Sequence, residues 1–428
     1  MTARILVTGS STFFAARLIH DLGRRGAFVT AADSLATSAG KASRYAARRV
    51  RVPAVSTDPG GFLAGIRTEL QERSYDLLLP TFEEALLLAE YQDELRPHAR
   101  LFLPRFPTMY QLHHKPSLHE LCLSLDLPTP PTLIVQGDEQ LWSVAGQLGF
   151  PVVLKLPACN NAVGRTYCDD EPALRYNFAR LAAEQQGRGG ELPFVQKKIQ
   201  GEMICTLCYC SQGRKLAEVV YRTARMFPQA GGTAAHRQSI IHPEISRIAD
   251  RLIAATGWTG FLGLDFLLER ETGIPYVIDA NTRANPAIHL GFCAGLDWSQ
   301  IILDLARDKS PEVQTARAGV NVHTLLIDLT WLIEGLYPRA GGIIRFPNRC
   351  RQFLAPGWPV DSRDDLLGIG EFASAAIIAA QALYTGVKSL VTGQQAGHLL
   401  LEHANYDPAT ADAFRAQRIS EVRDRIAA

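Results

Sequence analysis

Two acids, an amide and an arginine fall at spacings that could hold a divalent cation. They lie in Gly263-Leu264-Asp265-Phe266-Leu267-Leu268 and in Val277-Ile278-Asp279-Ala280-Asn281-Thr282-Arg283. Both stretches are apolar and strand-like, and Glu271-Thr272-Gly273 between them is suited to the turn of a hairpin that brings Asp265 and Asp279 together. Asp279, Asn281 and Arg283 are two apart on an extended segment and so share a face. Two carboxylates and an amide oxygen make a hard-oxygen site suited to Mg²⁺ shared with phosphates. Arg283 offers a charged fork to a phosphoryl or carboxylate oxygen. The plainer alternative is a solvated hairpin face. The apolar flanks weigh against it, because acids buried without partners are costly.

Lysines recur upstream. Lys115 opens a helical stretch that leads into Leu127-Pro128-Thr129-Pro130, and by itself would pass for a surface lysine. Lys155 ends the apolar strand Pro151-Val152-Val153-Leu154-Lys155. A lysine there is costly to bury unless an anion such as a phosphate meets it.

Taken in order, these motifs resemble the ATP-grasp ligases. Asp265 followed by Asp279-x-Asn281-x-Arg283 is similar to that family's metal signature of an acidic residue, a Glu and Asn-x-Arg, with Asp279 standing where Glu is usual. The resemblance implies ATP as cofactor with Mg²⁺, two ions for which Mn²⁺ can substitute, held by Asp265, Asp279 and Asn281. It implies that Lys115 and Lys155 meet the nucleotide phosphates. In Val195-Gln196-Lys197-Lys198-Ile199-Gln200-Gly201-Glu202 it puts adenine on the backbone of Lys197 and Ile199 and the ribose hydroxyls on Glu202, with Lys197 replacing a usual acid. Ala158 to Thr166 occupies the place of a phosphate-covering loop, although Gly164 is its sole glycine. Arg225, or else Arg222, would neutralise the acyl phosphate or the substrate carboxylate, with a solvated loop arginine as the alternative. His236 could act as a base or simply be structural. Glu83 and Glu84, at a strand end, are placed to touch an amine substrate, and the helix dipole explains them equally well.

The activity so implied is that of an ATP-dependent carboxylate–amine ligase. It would phosphorylate a small-molecule carboxylate and couple the acyl phosphate to an amine, releasing ADP and phosphate. A bicarbonate-using carboxylase or carbamoyl-phosphate type of enzyme, or a non-catalytic ATP-binding regulator, are the alternatives. Similar enzymes are commonly dimers, so a homodimer is expected.

The elements that must position these residues read as α/β. Strand and helix alternate over the first hundred residues, which argues for an N-terminal doubly wound parallel-sheet domain over 1–107. Gly9 and Asp33 are placed as in a dinucleotide fold, but Gly9-Ser10-Ser11-Thr12-Phe13-Phe14 puts two bulky rings where a pyrophosphate would approach, which excludes NAD. The resemblance places an ATP-grasp domain of two α+β subdomains after it, the small one and a linker over 108–195 and the large one with the metal site over 196–310. Residues 311–428 carry no recognised signature. Arg222 to Gln238, rich in Gly, Thr, Pro and Arg, reads as a mobile or functional loop.

Composition closes off other classes. Lys plus Arg number 44 against 43 Asp plus Glu, without a basic run, so nucleic acid is not an expected partner. The longest apolar stretch, Phe372 to Ala380, is far short of the roughly 20 residues of a membrane span, and the N-terminus lacks the features of a secretory signal. A cytoplasmic protein is expected. The eight cysteines suggest no disulfide framework, and Cys205, Cys208 and Cys210 read as small hydrophobes of a core strand rather than as a metal site.

Overall fold

Four short runs build the first sheet: β1 (Arg4–Val7), β2 (Phe28–Asp33), β3 (Ala46–Arg51) and β4 (Leu77–Leu79). In a computed structural model, which describes residues 2–135, 147–158, 164–187, 190–227, 233–334, 346–354, 362–392 and 401–427, they lie in the order β3-β2-β1-β4. All three pairings are parallel, as the strand–helix alternation predicts. β1 and β4 are apolar runs buried along almost their whole length, the mark of a strand covered on both faces. β3 escapes the sequence reading because it is half charged. Arg49 and Arg51 are exposed, and Arg48, on the opposite face, forks onto the buried Glu69 with two bonds of 2.9 Å. The helices Glu84–Glu90 and Gln92–Leu95 meet at Tyr91 with ψ 21°.

A second sheet holds β5 (Thr132–Leu133), β6 (Val152–Lys155), β7 (Thr166–Cys168) and β8 (Phe194–Lys197) in the order β5-β8-β6-β7, wholly antiparallel. The helix Glu171–Gln186, capped by Asp170, covers it through Leu174, Phe178 and Leu181. Between β5 and β6, residues 136–146 lie outside the described residues.

The third and largest sheet starts with β9 (Gly201–Ser211), β10 (Arg214–Phe227), β11 (Thr233–Ile240), β12 (Gly260–Glu269) and β13 (Pro275–Asn281). Beyond residue 310 it adds β14 (Gln314–Thr315), β15 (Asn321–His323) and β16 (Ser362–Asp364). The order is β13-β12-β9-β10-β11-β15-β16, with β14 against β10. The β12–β13 hairpin is present as expected, with Asp265 opposite Asp279. The loop expected over Arg222 to Gln238 is corrected: Arg222–Phe227 and Thr233–Gln238 are paired strand, and 228–232 lie outside the described residues. Composition misled there because neighbouring strands satisfy the backbone of polar residues as readily as of apolar ones. Register shifts around Arg225 absorb the irregularity.

Alternation along β9 decides the cysteine question. Cys205 belongs to the core on one face, Cys208 and Cys210 to the core on the other, so the Cys-x-x-Cys pair straddles the sheet. All three thiols are buried, and burial holds each above its ordinary range. Among the described residues no helix is long and apolar enough to cross a membrane.

The face carrying Cys205 packs onto the helices Ala287–Cys293 and Trp298–Ala306 and through them onto the first helix, Phe13–Arg24. Trp298 is fully buried at that junction, donating from Nε1 to the Ile288 carbonyl at 3.0 Å and meeting Phe261 edge-on. Trp298→Ala should therefore lower the unfolding free energy by about 3–5 kcal/mol, the usual cost of deleting a buried large aromatic, as read from guanidinium unfolding midpoints.

Candidate active site

The hairpin brings three of the expected residues together. Asp265 and Asp279 are cross-strand partners, and Asn281 donates from Nδ2 to Asp265 Oδ2 at 3.3 Å. Burial, then the charge of Asp279, pushes the Asp265 carboxyl up to about 6. Two facing carboxylates repel, and a divalent cation beside them would relieve that repulsion. The Asp279 side chain keeps 29% of its surface open, so the pair faces a cleft. Among the described residues no group of three or more His, Cys, Asp or Glu side chains gathers to cage a metal. A set of two carboxylates and one amide thus fits a hard cation that completes its shell from phosphates and water.

Cations surround this pair. Lys115 Nζ stands 3.3 Å from Asp279 Oδ1, at the start of the helix Lys115–Ser124, which packs against β13. Arg283 is buried over the Phe82 ring at 4.2 Å, with Nε 3.8 Å from Glu83 Oε1. Its guanidinium is held below its ordinary range by burial, which Glu83, Asp279 and Asp265 oppose.

Across the cleft, Lys155 is 9% exposed and donates to Gln196 Oε1 at 2.7 Å, while Gln196 donates to Thr132 at 2.9 Å. A lysine at the end of a buried strand is thus held by an amide oxygen. The Lys197 amide donates to the Pro131 carbonyl and the Lys198 amide to the Pro151 carbonyl. Those two N–H groups already serve the small sheet, which leaves the Lys197 carbonyl and the Ile199 amide as the candidate adenine contacts. Glu202 stands 3.5 Å from Arg222, both about half exposed at the mouth of β9 and β10. Of the expected phosphate-covering loop, 159–163 lie outside the described residues. Gly164 is tight against Leu156, which its φ of +67° and missing Cβ allow.

The carboxyl ends of β1 and β4 form the third wall. Glu84 Oε1 accepts from Thr8 Oγ1 at 2.8 Å and from the Thr81 and Phe82 amides, and burial raises its carboxyl. Glu84 is therefore built into the strand-end turn, and Glu83 is the acid that reaches Arg283. Glu83 Oε2 also accepts the Tyr406 amide at 2.9 Å, and His403 Nε2 lies 3.1 Å from Ser11 Oγ. Sequence reasoning missed this return of residues 401–406 onto the N-terminal sheet. It also missed His113, buried within electrostatic range of Glu83, Lys115, Asp279 and Arg283 and pushed down to about 4, chiefly by burial.

Arg225 is not brought to this group. It forks onto Asp328 at 2.6 and 2.5 Å, donates to the Gln352 carbonyl and lies 5.5 Å from the centre of the Trp331 ring. Beside it His236 meets Asn321 Oδ1 at 3.2 Å. On the next residue the fully buried Arg237 donates to the Pro286 carbonyl and to Asp365 Oδ2, both at 2.7 Å. Arg237 occupies an in-facing strand position, and that alternation was its one signal in the sequence.

No family model matches the chain. Over 196 residues it is 23% identical to the carbamoyl phosphate synthase large chain of Thermus thermophilus, covering 44% of this chain and 19% of that one. The aligned stretch is thus about a fifth of that relative's length. Among solved structures, the biotin carboxylase domain of Hydrogenobacter thermophilus 2-oxoglutarate carboxylase, in complex with MgADP, ADP and bicarbonate, superposes with a TM-score of 0.62. The identity is 17%, and 75% of this chain and 74% of that one are covered. This is the ATP-grasp fold. A second ATP-grasp structure, the L-amino acid ligase from Bacillus licheniformis, gives a TM-score of 0.56 at 17% identity over 75% of this chain and 78% of that one.

A neutral buried histidine sets a pH window. His236 is pushed down to about 4, chiefly by burial and then by the charge of Arg225. Between about pH 6.5 and pH 4 the unfolded chain takes up a proton there that the folded chain refuses, so stability falls as pH drops through that window. The wild-type Tm should decrease more steeply from about pH 7 to pH 5 than that of His236→Gln, in thermal unfolding followed by circular dichroism.

Proposed function

We propose that the chain is an ADP-forming ligase that activates a small carboxylate with ATP and joins it to an amine. The observation that carries this reading is the facing pair Asp265 and Asp279, joined by Asn281 and flanked by Lys115 and Arg283. The ATP-grasp fold supports it, and the L-amino acid ligase shares that fold. Bound Mg²⁺, held by Asp265, Asp279 and Asn281, would supply charge neutralisation on the nucleotide phosphates.

The chain's own residues then have simple tasks. Lys155 and Lys115 orient and offset phosphate charge from two sides of the cleft, and the Lys197 carbonyl and Ile199 amide hold the purine with Glu202 at the ribose. The substrate carboxylate attacks the γ-phosphorus and ADP leaves, after which the amine displaces phosphate from the acyl phosphate. Arg283 faces the oxygens that gain charge in both steps and is fixed by Glu83. Arg225 has an anchoring role in this scheme, since Asp328 already occupies its fork. Positioning and charge stabilisation suffice for such chemistry.

A bicarbonate-using reaction is the second reading, favoured by the bicarbonate in the biotin carboxylase complex. That domain is a dimer, and a cytoplasmic homodimer belongs to the same proposal for this chain.

The test is Mg²⁺-dependent ADP formation with pooled amino acids, small carboxylates and bicarbonate in separate reactions, with hydroxylamine present to trap acyl phosphate as hydroxamate. One amino-acid or carboxylate pool should yield ADP and hydroxamate. Asp279→Ala and Lys155→Ala should each lower the rate about 100-fold or more, the scale of a lost electrostatic contact. ADP formed with bicarbonate alone would favour the second reading, and ATP binding without turnover in any pool a regulatory protein. Absence of ATP binding would end the proposal.

A further inference from the structure

Phe13, at the start of the first helix, has a use of its own. It forms one wall of a cavity of about 290 Å³ between the start of the first helix, residues 324–326 and 364–367 beside the ends of β15 and β16, and the helix Phe372–Thr392. Leu325, Leu366 and Phe372 supply further apolar wall, and Ala375 and Ala379 leave the space open, because larger residues on that helix face would fill it. A dry apolar void of ~150 Å³ accepts a benzene ring. This one has room for an aromatic or branched aliphatic group with a short tail.

One end of the cavity is polar. Asp365 lines it and is 1% exposed. Its Oδ2 accepts from Arg237 and from the Thr324 hydroxyl, but Oδ1 has no hydrogen-bond partner among the described residues. Leaving a buried carboxylate oxygen without a donor is costly. Arg237 already offsets its charge, so a neutral or a cationic N–H or O–H would serve equally. Two links lead from its lining toward residues of the candidate site. Phe13 follows the Gly9–Thr12 turn at the end of β1, and Arg237 Nη1 reaches the Pro286 carbonyl, three residues beyond Arg283.

Resting on the ligase reading, we propose that this cavity holds the apolar side chain of one substrate, a hydrophobic amino acid or a similarly sized amine, whose N–H or O–H donor meets Asp365 Oδ1. Substrate choice is then set by volume at Ala375 and Ala379 rather than by the metal-site residues.

Phenethylamine, an aromatic body with one donor group, is the probe. In titration calorimetry of the full chain without ATP, it should bind saturably and at least tenfold more tightly than ethylamine. Ala379→Phe should weaken it at least tenfold. In the ADP assay, phenylalanine, leucine and tryptophan should half-saturate at concentrations at least tenfold below alanine and serine. Ala379→Phe should raise those concentrations tenfold or more, a larger change than in kcat. If thermal unfolding shows that Ala379→Phe is not folded, Ala375→Val carries the same comparison with a smaller expected loss. Wild-type protein that ignores phenethylamine, or a folded variant that binds it equally well, overturns the assignment. So does ADP formation that ranks alanine and serine with the apolar amino acids. Because binding is read without ATP, Ala379-dependent binding in a chain that forms no ADP sustains the cavity as a ligand site and defeats the ligase reading alone.

Discussion

Two carboxylates set opposite each other on adjacent strands constrain everything around them. Asp265 and Asp279 cannot move apart, because the backbone pairing of β12 with β13 fixes their separation and β9 holds β12 from the other side. Like charges so held demand positive charge nearby, and the fold delivers it from separate places. Lys115 arrives from the helix that precedes the small sheet, Arg283 from the extension of β13 itself. Arg283 in turn needs an anion on its far side, and Glu83 at the carboxyl end of β4 provides one. The N-terminal sheet is thereby tied to the β12–β13 hairpin by electrostatics as well as by packing.

What was legible in the sequence follows the range of the interactions concerned. The β12–β13 hairpin is local: apolar runs, a Gly-containing turn and polar residues two apart suffice to place Asp265, Asp279 and Asn281. Lys155 stands out because a charge in a buried strand is conspicuous wherever the strand packs. The pairing of Arg225 could not be read locally, because its partner, Asp328, lies 103 residues away. The Arg222–Gln238 segment was misread as loop for a related reason. Its strands exist because β9 and β15 flank them, and a polar, Thr- and Arg-rich stretch carries no trace of those neighbours. β3 was lost to its outward-pointing arginines.

The C-terminal third, unreadable by motif, proves to be fastened at many points. β15 and β16 lengthen the large sheet, and Asp328 and Asp365 hold Arg225 and Arg237. Glu371 meets His20 at 2.7 Å and Ser43 at 3.0 Å on the N-terminal domain. Each of these side-chain contacts joins residues more than a hundred positions apart, invisible to composition but satisfied in the fold as buried polar groups must be.

The Tyr406 amide on Glu83 and His403 beside Ser11 have a consequence for how the protein comes into being. A ribosome completes the first sheet, both strands of the β12–β13 hairpin and Arg283 well before it reaches residue 403. At ~5–20 residues per second the nascent chain spends on the order of ten seconds with the strand-end wall uncovered. During that interval Glu83 has Arg283 but not its second donor, and the edge of the N-terminal sheet is open to water and to other chains. Assembly of the cleft is therefore a late event of translation, and the early-made part of the protein waits for a segment made more than a hundred residues afterwards.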